Sequence, residues 1–194
     1  MALALCLLLL GVVSVITYSP LFAAPTDERA IRLGSGDVQQ YKLPAGDPKR
    51  LTVDSVDIDA PMGQVHLPPG GGTLVPPFDV AAWYAEGPRP GFPGPSVIVG
   101  HVDSTQGPNV FWNLHLVKKG DKITVWYPHQ TVTFVVTKTQ TAAQDRLPTK
   151  QIWNKTSTQV LRLITCIGTF DHATRNYSDN YIVYARETGI RIVR

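Results

Sequence analysis

The sequence predicts a mainly β fold: a small closed or nearly closed barrel of about eight short strands, with one or two short helices. Two observations carry this expectation. Short apolar runs rich in Val, Ile, Thr, Tyr and Phe recur along the chain, each bounded by turn residues. Sixteen Gly and sixteen Pro are spread through the 194 residues, which supplies turns everywhere and leaves little room for long helices. The chain contains no internal repeat and no low-complexity tract.

The elements follow in order. Residues 1–24 read as an export segment: the run 2–17 is apolar, with Leu5, Leu7, Leu8, Leu9, Leu10, Val12 and Val13, and Tyr18-Ser-Pro20 interrupts it. Its length lies between a signal-peptide core and a spanning helix, and a retained membrane anchor is the preferred reading over a cleaved signal. Residues 25–48 are polar and rich in Gly and Pro, and read as a linker or arm. The folded domain is expected over 49–194. Residues 51–58 partly alternate and suggest a first strand, and 64–67 a short second one. Asp79 is placed to cap a short helix over 80–84. Residues 87–95, with four prolines, form a rigid loop that can be neither helix nor central strand. Residues 96–101 are an apolar strand ending at His101, and 111–114 a single helical turn. Residues 122–127 and 131–137 read as a hairpin over the turn at Pro128, and 145–153 as a partly helical connection. Residues 160–165 and 181–185 are the last two strands, joined by a loop opened by Gly168.

Composition narrows the function. Setting the N-terminal segment aside leaves about 150–170 residues, enough for one domain with one core. The net charge of +3, from 18 basic and 15 acidic residues, is too small to indicate nucleic acid, and no nucleic-acid partner is expected. The two cysteines, Cys6 and Cys166, cannot form a disulfide framework or a zinc site. Asp54, Asp57 and Asp59 fit a solvated strand edge better than a calcium site, so neither metal nor cofactor is expected. Leu147-Pro-Thr-Lys150 is read as a loop.

The chemistry concentrates on Cys166 and His101, each at the C-terminal end of an apolar strand. If those strands are parallel neighbours, the two side chains emerge at one rim. A thiolate is a strong nucleophile, and an imidazole beside it can take or return the proton. An arginine nearby could hold a developing oxyanion or grip a substrate backbone. That set of groups is suited to acyl transfer. Spacing alone leaves His66, His115, His129 and His172 with structural or solvated readings.

The runs Gly87-Pro-Arg-Pro-Gly-Phe-Pro-Gly-Pro-Ser-Val-Ile-Val-Gly-His-Val-Asp-Ser104 and Leu161-Arg-Leu-Ile-Thr-Cys-Ile-Gly-Thr-Phe-Asp171 resemble the two signature stretches of sortases, the class F group in particular. The resemblance covers roughly residues 49–186. It implies a sortase-like eight-stranded β-barrel and a cysteine transpeptidase on the outer face of a Gram-positive membrane. Carried over by position, it implies Cys166 as nucleophile and His101 as general acid/base. It also implies a substrate-positioning role for Thr165. The implied substrates are proteins with an LPxTG-like sorting signal, cleaved after Thr through a thioacyl-enzyme. The implied acceptor is an amine of a peptidoglycan precursor.

The chain departs from the family pattern at its third residue. The class F group often carries arginine where this chain has Ser178, and better-known sortases carry it near Asn180. Arg175 lies in the same loop and is the expected oxyanion or substrate stabiliser, whereas Arg186 falls at the opposite end of the strand. Ile167 stands where the group usually has glycine. The departure supports an alternative reading, a catalytically weak sortase-like module that binds sorting peptides. A purely hydrolytic cysteine peptidase is a third. Papain-like order, Cys before His, is reversed here, and the Ser-His-Gly-Cys run of L,D-transpeptidases is absent.

Overall fold

The computed structural model describes residues 43–193. The export segment and most of the arm lie outside the described residues. Ten strands are described: β1 (Arg50–Val53), β2 (Ile58–Val65), β3 (Ala81–Tyr84), β4 (Gly94–Val99), β5 (Asp103–Ser104), β6 (Gly107–Pro108), β7 (Lys122–Trp126), β8 (Gln130–Ala143), β9 (Gln159–Asp171) and β10 (Asn176–Ile192). Eight of them close into a barrel in the order β1-β2-β3-β4-β9-β10-β8-β7, and β7 pairs back onto β1. The expected eight-stranded barrel is therefore the observed fold. β5 and β6 form a small separate ribbon.

Two pairs in the barrel are parallel, β2 with β3 and β4 with β9. The second positions the site. Val99 lies opposite Ile164, and the Gly100 amide continues the ladder by donating to the Ile164 carbonyl at 3.2 Å. β9 in turn pairs antiparallel with β10, which places Asn180 opposite Cys166.

Alternation along these strands sorts their side chains onto two faces. Ile98, Leu161, Leu163, Val183 and Ala185 enter the barrel and pack with Leu51, Phe111, Val125 and Phe134. Val97, Val99, Ile164, Ile182 and Tyr184 point outward into a second cluster. Ile152 of the short helix α1 (Thr149–Ile152) belongs to that cluster and is fully buried, with Leu147 packed against it. The outer face of β4, β9 and β10 is therefore covered along part of its length by the β8–β9 connection.

Three local expectations are corrected. Residues 51–58 are not one strand: β1 stops at Val53, a 3-10 turn spans Asp54–Val56, and Asp57 takes φ 55 before β2 begins. That reversal lets β2 pair back on β1 as a hairpin. Residues 80–84 are not helical but contain β3. Ala81 and Trp83 face one core and Ala82 the other, so pairing and two-sided burial outweigh a helix only one turn long. The last two strands are much longer than expected, and the loop does not open at Gly168. That residue sits inside β9 at φ +93, and the turn is confined to residues 172–175. The turn at 112–116, the 122–143 hairpin and the partly helical 144–152 connection agree with the sequence reading.

Candidate active site

Cys166 is the last outward-facing residue of β9 before the strand passes Gly168. Ile164, two residues earlier, faces the outer cluster, so alternation puts Cys166 on the same face, half-buried and unpaired by any disulfide. His101 follows β4 directly. Val97 and Val99 point outward, and Gly100 points inward, where a Cβ would stand 2.6 Å from the Phe111 ring. The alternation therefore brings His101 out on the face that carries Cys166. On the neighbouring strand, Ile182 points outward and Asn180 does likewise, directly across from Cys166. His101, Cys166 and Asn180 thus form a row over three adjacent strands, about 4.8 Å from one strand to the next.

The strand ends that carry Cys166 and His101 are held. Thr165 Oγ1, buried, donates to the Gly100 carbonyl at 2.8 Å and locks the two strand ends together. The His101 carbonyl accepts from the Phe111 amide at 3.0 Å. The His101 ring is gripped by residues from the β2–β3 connection. Its Nε2 lies 2.9 Å from the Pro76 carbonyl, and Phe78 stacks on it with centroids 4.4 Å apart and an interplanar angle of 22°.

A second polar pair adjoins the row. The Tyr177 hydroxyl of β10 donates to Asp103 Oδ2 of β5 at 2.5 Å. Burial, then this hydrogen bond, pushes the phenol up to about 12. The Cys166 thiol is pushed up as well, first by burial and then by the Asp103 carboxylate. Both influences oppose a standing thiolate, so the thiol needs a base to ionise it. Asp103, Tyr177 and the Pro76–Phe78 pair were not singled out in the sequence. The only local sign was an Asp two residues after the histidine.

Arg175 is not brought to this row. It occupies the β9–β10 turn at φ 57, beyond the Asp171–Asn176 pair. Asp171 lies five steps along the strand from Cys166, roughly 16 Å. Arg186 pairs with Val160 near the other end of β9. Ser178 accepts from the Thr169 amide at 3.0 Å and donates to Asp179 at 2.5 Å. A cleft of about 640 Å³, lined by Asp145, Thr169, Asp171, Tyr177 and Ser178 among others, adjoins the site through Tyr177. Among the described residues, no group of three or more His, Cys, Asp or Glu side chains is arranged to hold a metal ion.

With the barrel and this row in place, comparison with known proteins is decisive. The sequence model of the sortase domain matches residues 51–188. The chain belongs to the sortase family. Among solved structures, it is similar to sortase A of Listeria monocytogenes, with 19% identity, a TM-score of 0.59, and coverage of 75% of this chain and 90% of that one. A sortase from Actinomyces oris gives 20% identity, a TM-score of 0.59, and coverage of 77% and 83% respectively. Sortase A of Corynebacterium diphtheriae gives 20% identity, a TM-score of 0.57, and coverage of 74% and 61%. At these identities the structural likeness speaks for the fold, and the family assignment rests on the domain match. No curated protein matches. As a sortase the chain is a transpeptidase of the general sortase type. Among its described residues no helix is long and apolar enough to cross a membrane.

Proposed function

We propose that this sortase is a cell-surface cysteine transpeptidase in which Cys166 is the nucleophile and His101 the general acid/base. The observation that carries the reading is the row of His101, Cys166 and Asn180 on one outer face of the barrel. In the first half-reaction, His101 takes the thiol proton and the sulfur attacks the Thr carbonyl carbon of an LPxTG-like sorting signal. The carbonyl oxygen gains negative charge in the tetrahedral intermediate. The Thr–Gly C–N bond then breaks as His101 returns a proton to the leaving amine. In the second, an amine of a peptidoglycan precursor attacks the thioacyl carbon, releases the thiol and forms the new amide. Thr165, the proposed substrate-positioning residue, acts indirectly: its bond to Gly100 holds the strand ends that carry Cys166 and His101.

The oxyanion needs a donor. Asn180, opposite Cys166, carries an amide NH2 at the end of the row, and we assign it that task. Arg175, at the hairpin turn, is proposed to grip the substrate backbone away from the thiol. The Gly87–Ser104 run supports a class F-like member. An anchored position, with the domain outside a Gram-positive membrane, rests on the apolar N-terminal segment.

A second reading has its own support. A neutral amide, not a guanidinium, stands opposite the cysteine, which suits a sortase-like module that binds sorting peptides and turns them over weakly. Mass spectrometry separates the two. The full chain is incubated with an LPxTG-like peptide, with and without an amine nucleophile. A thioacyl adduct on Cys166 that amine releases, and that Cys166→Ala abolishes, supports the transpeptidase. Binding across a panel of sorting peptides with no adduct leaves the recognition module.

A further inference from the structure

The connection of residues 66–80 between β2 and β3 lies across His101. It is tethered at both ends. His66 Nδ1 meets Glu86 at 2.7 Å near the start. Near the end, Asp79 and Asn109 exchange two hydrogen bonds, the Asp79 amide to Asn109 Oδ1 at 3.1 Å and Asn109 Nδ2 to Asp79 Oδ1 at 2.8 Å. Between the tethers, Gly70, Gly71 and Gly72 all take positive φ, and Gly70 and Gly71 have open space around them. Pro76 and Pro77 follow. Two consecutive pyrrolidine rings fix the direction of the carbonyl between them, because each φ is set and the residue before a proline is confined to extended backbone. Phe78 remains 58% exposed while stacked on the imidazole, so core packing does not dictate its place.

A carbonyl oxygen can only accept. The 2.9 Å contact with Pro76 therefore requires the proton on Nε2, and the neutral ring keeps its lone pair on Nδ1. We propose that the 66–80 strap is a positioning clamp for His101: the Pro76 carbonyl fixes the Nε2–H tautomer, the Phe78 ring fixes the imidazole plane, and Nδ1 is left as the atom that exchanges protons with thiol and substrate. The inference rests on the assignment of His101 as the proton-transfer group. When Nδ1 takes a proton, the bond to Pro76 becomes charge-assisted and Phe78 offers its π face to a cation.

The test is a nitrogen-15 NMR tautomer assignment of neutral His101 in the full chain carrying Cys166→Ala, so that the thiol exchanges no proton with the ring. Neutral His101 is expected to show the Nε2–H tautomer. Adding Phe78→Ala is expected to release the imidazole from Pro76, so that the Nδ1–H tautomer joins the Nε2–H form, and Phe78→Trp to keep the single tautomer. Because Phe78 is exposed, neither substitution opens the core. An Nδ1–H tautomer in the parent chain, or the same tautomer population with and without the Phe78 ring, overturns the clamp. The readout does not depend on turnover: the expected tautomers in a chain that forms no thioacyl adduct would uphold the clamp while the transpeptidase reading falls.

Discussion

The hydroxyl of Thr165 donates to the carbonyl of Gly100 at 2.8 Å, and this one bond joins the residue before the cysteine to the residue before the histidine. Both strands end their shared ladder here, and the bond is buried. Thr165→Val keeps the shape of the side chain but leaves the Gly100 oxygen without that partner. The expected cost is about 1–3 kcal/mol in denaturant unfolding. Thioacyl formation should drop with it, because the His101 and Cys166 strand ends are no longer locked. Thr165→Ser should restore most of both.

Asp103 sets part of the field at the thiol. It is a negative charge near Cys166, and its effect, after that of burial, is to raise the thiol pKa. Asp103→Asn removes the charge, so thiolate is disfavoured less and the pKa falls. The rate of Cys166 alkylation against pH should move to lower pH, with faster alkylation at neutrality. An unmoved or upward-shifted profile would contradict this account. Asparagine keeps an oxygen that can accept from Tyr177, which separates the charge effect from loss of the bond.

Asn180 and Arg175 are expected to fail differently. An oxyanion donor acts mainly in the transition state. Asn180→Ala should therefore lower the rate of thioacyl formation by about 100- to 1,000-fold with little change in KM. Arg175→Ala should act mainly on KM, since the turn lies well along the hairpin from the thiol. Single-turnover kinetics with a sorting peptide distinguish the two.

Arg175 also sits in left-handed backbone at φ 57, where a side chain carries a conformational cost that glycine avoids. Arg175→Gly should leave thermal stability unchanged or slightly raised while binding of the sorting peptide weakens. A large loss of stability would mean that the guanidinium supports the hairpin itself.

Gly100 reports on the opposite constraint. A methyl group there would stand 2.6 Å from the Phe111 ring, which is fully buried in the barrel. Gly100→Ala should cost about 1–3 kcal/mol through overpacking. It should also displace His101, whose carbonyl is bonded to the Phe111 amide. Unfolding and adduct formation measured on the same variant should both decline.

The barrel was legible because its signals are local. Val97, Val99, Leu161 and Leu163 belong to apolar runs with strand character, and the turn residues punctuate them. The same locality exposed Cys166 and His101 at the ends of two such runs. Residues 80–84 misled for the converse reason: Ala81, Ala82 and Trp83 carry no decisive local preference, and their state is set by burial on both faces of β3. The length of β9 and β10 was hidden because Gly168 reads as a break. In the fold it remains inside the strand at positive φ, where any Cβ would meet Ser178 and Asp179 at 2.3 and 2.7 Å.

By itself, then, the sequence determined the fold class, the family resemblance and two candidate residues, Cys166 and His101, since each is written in short runs of adjacent residues. Only the tertiary structure decided what surrounds those groups. Asn180 faces Cys166 and Arg175 does not, because strand register, not sequence distance, sets which side chains share a row. Pro76 and Phe78 reach His101 from 25 and 23 residues away because the strap between two parallel strands must cross the barrel rim before β3 can pair with β2.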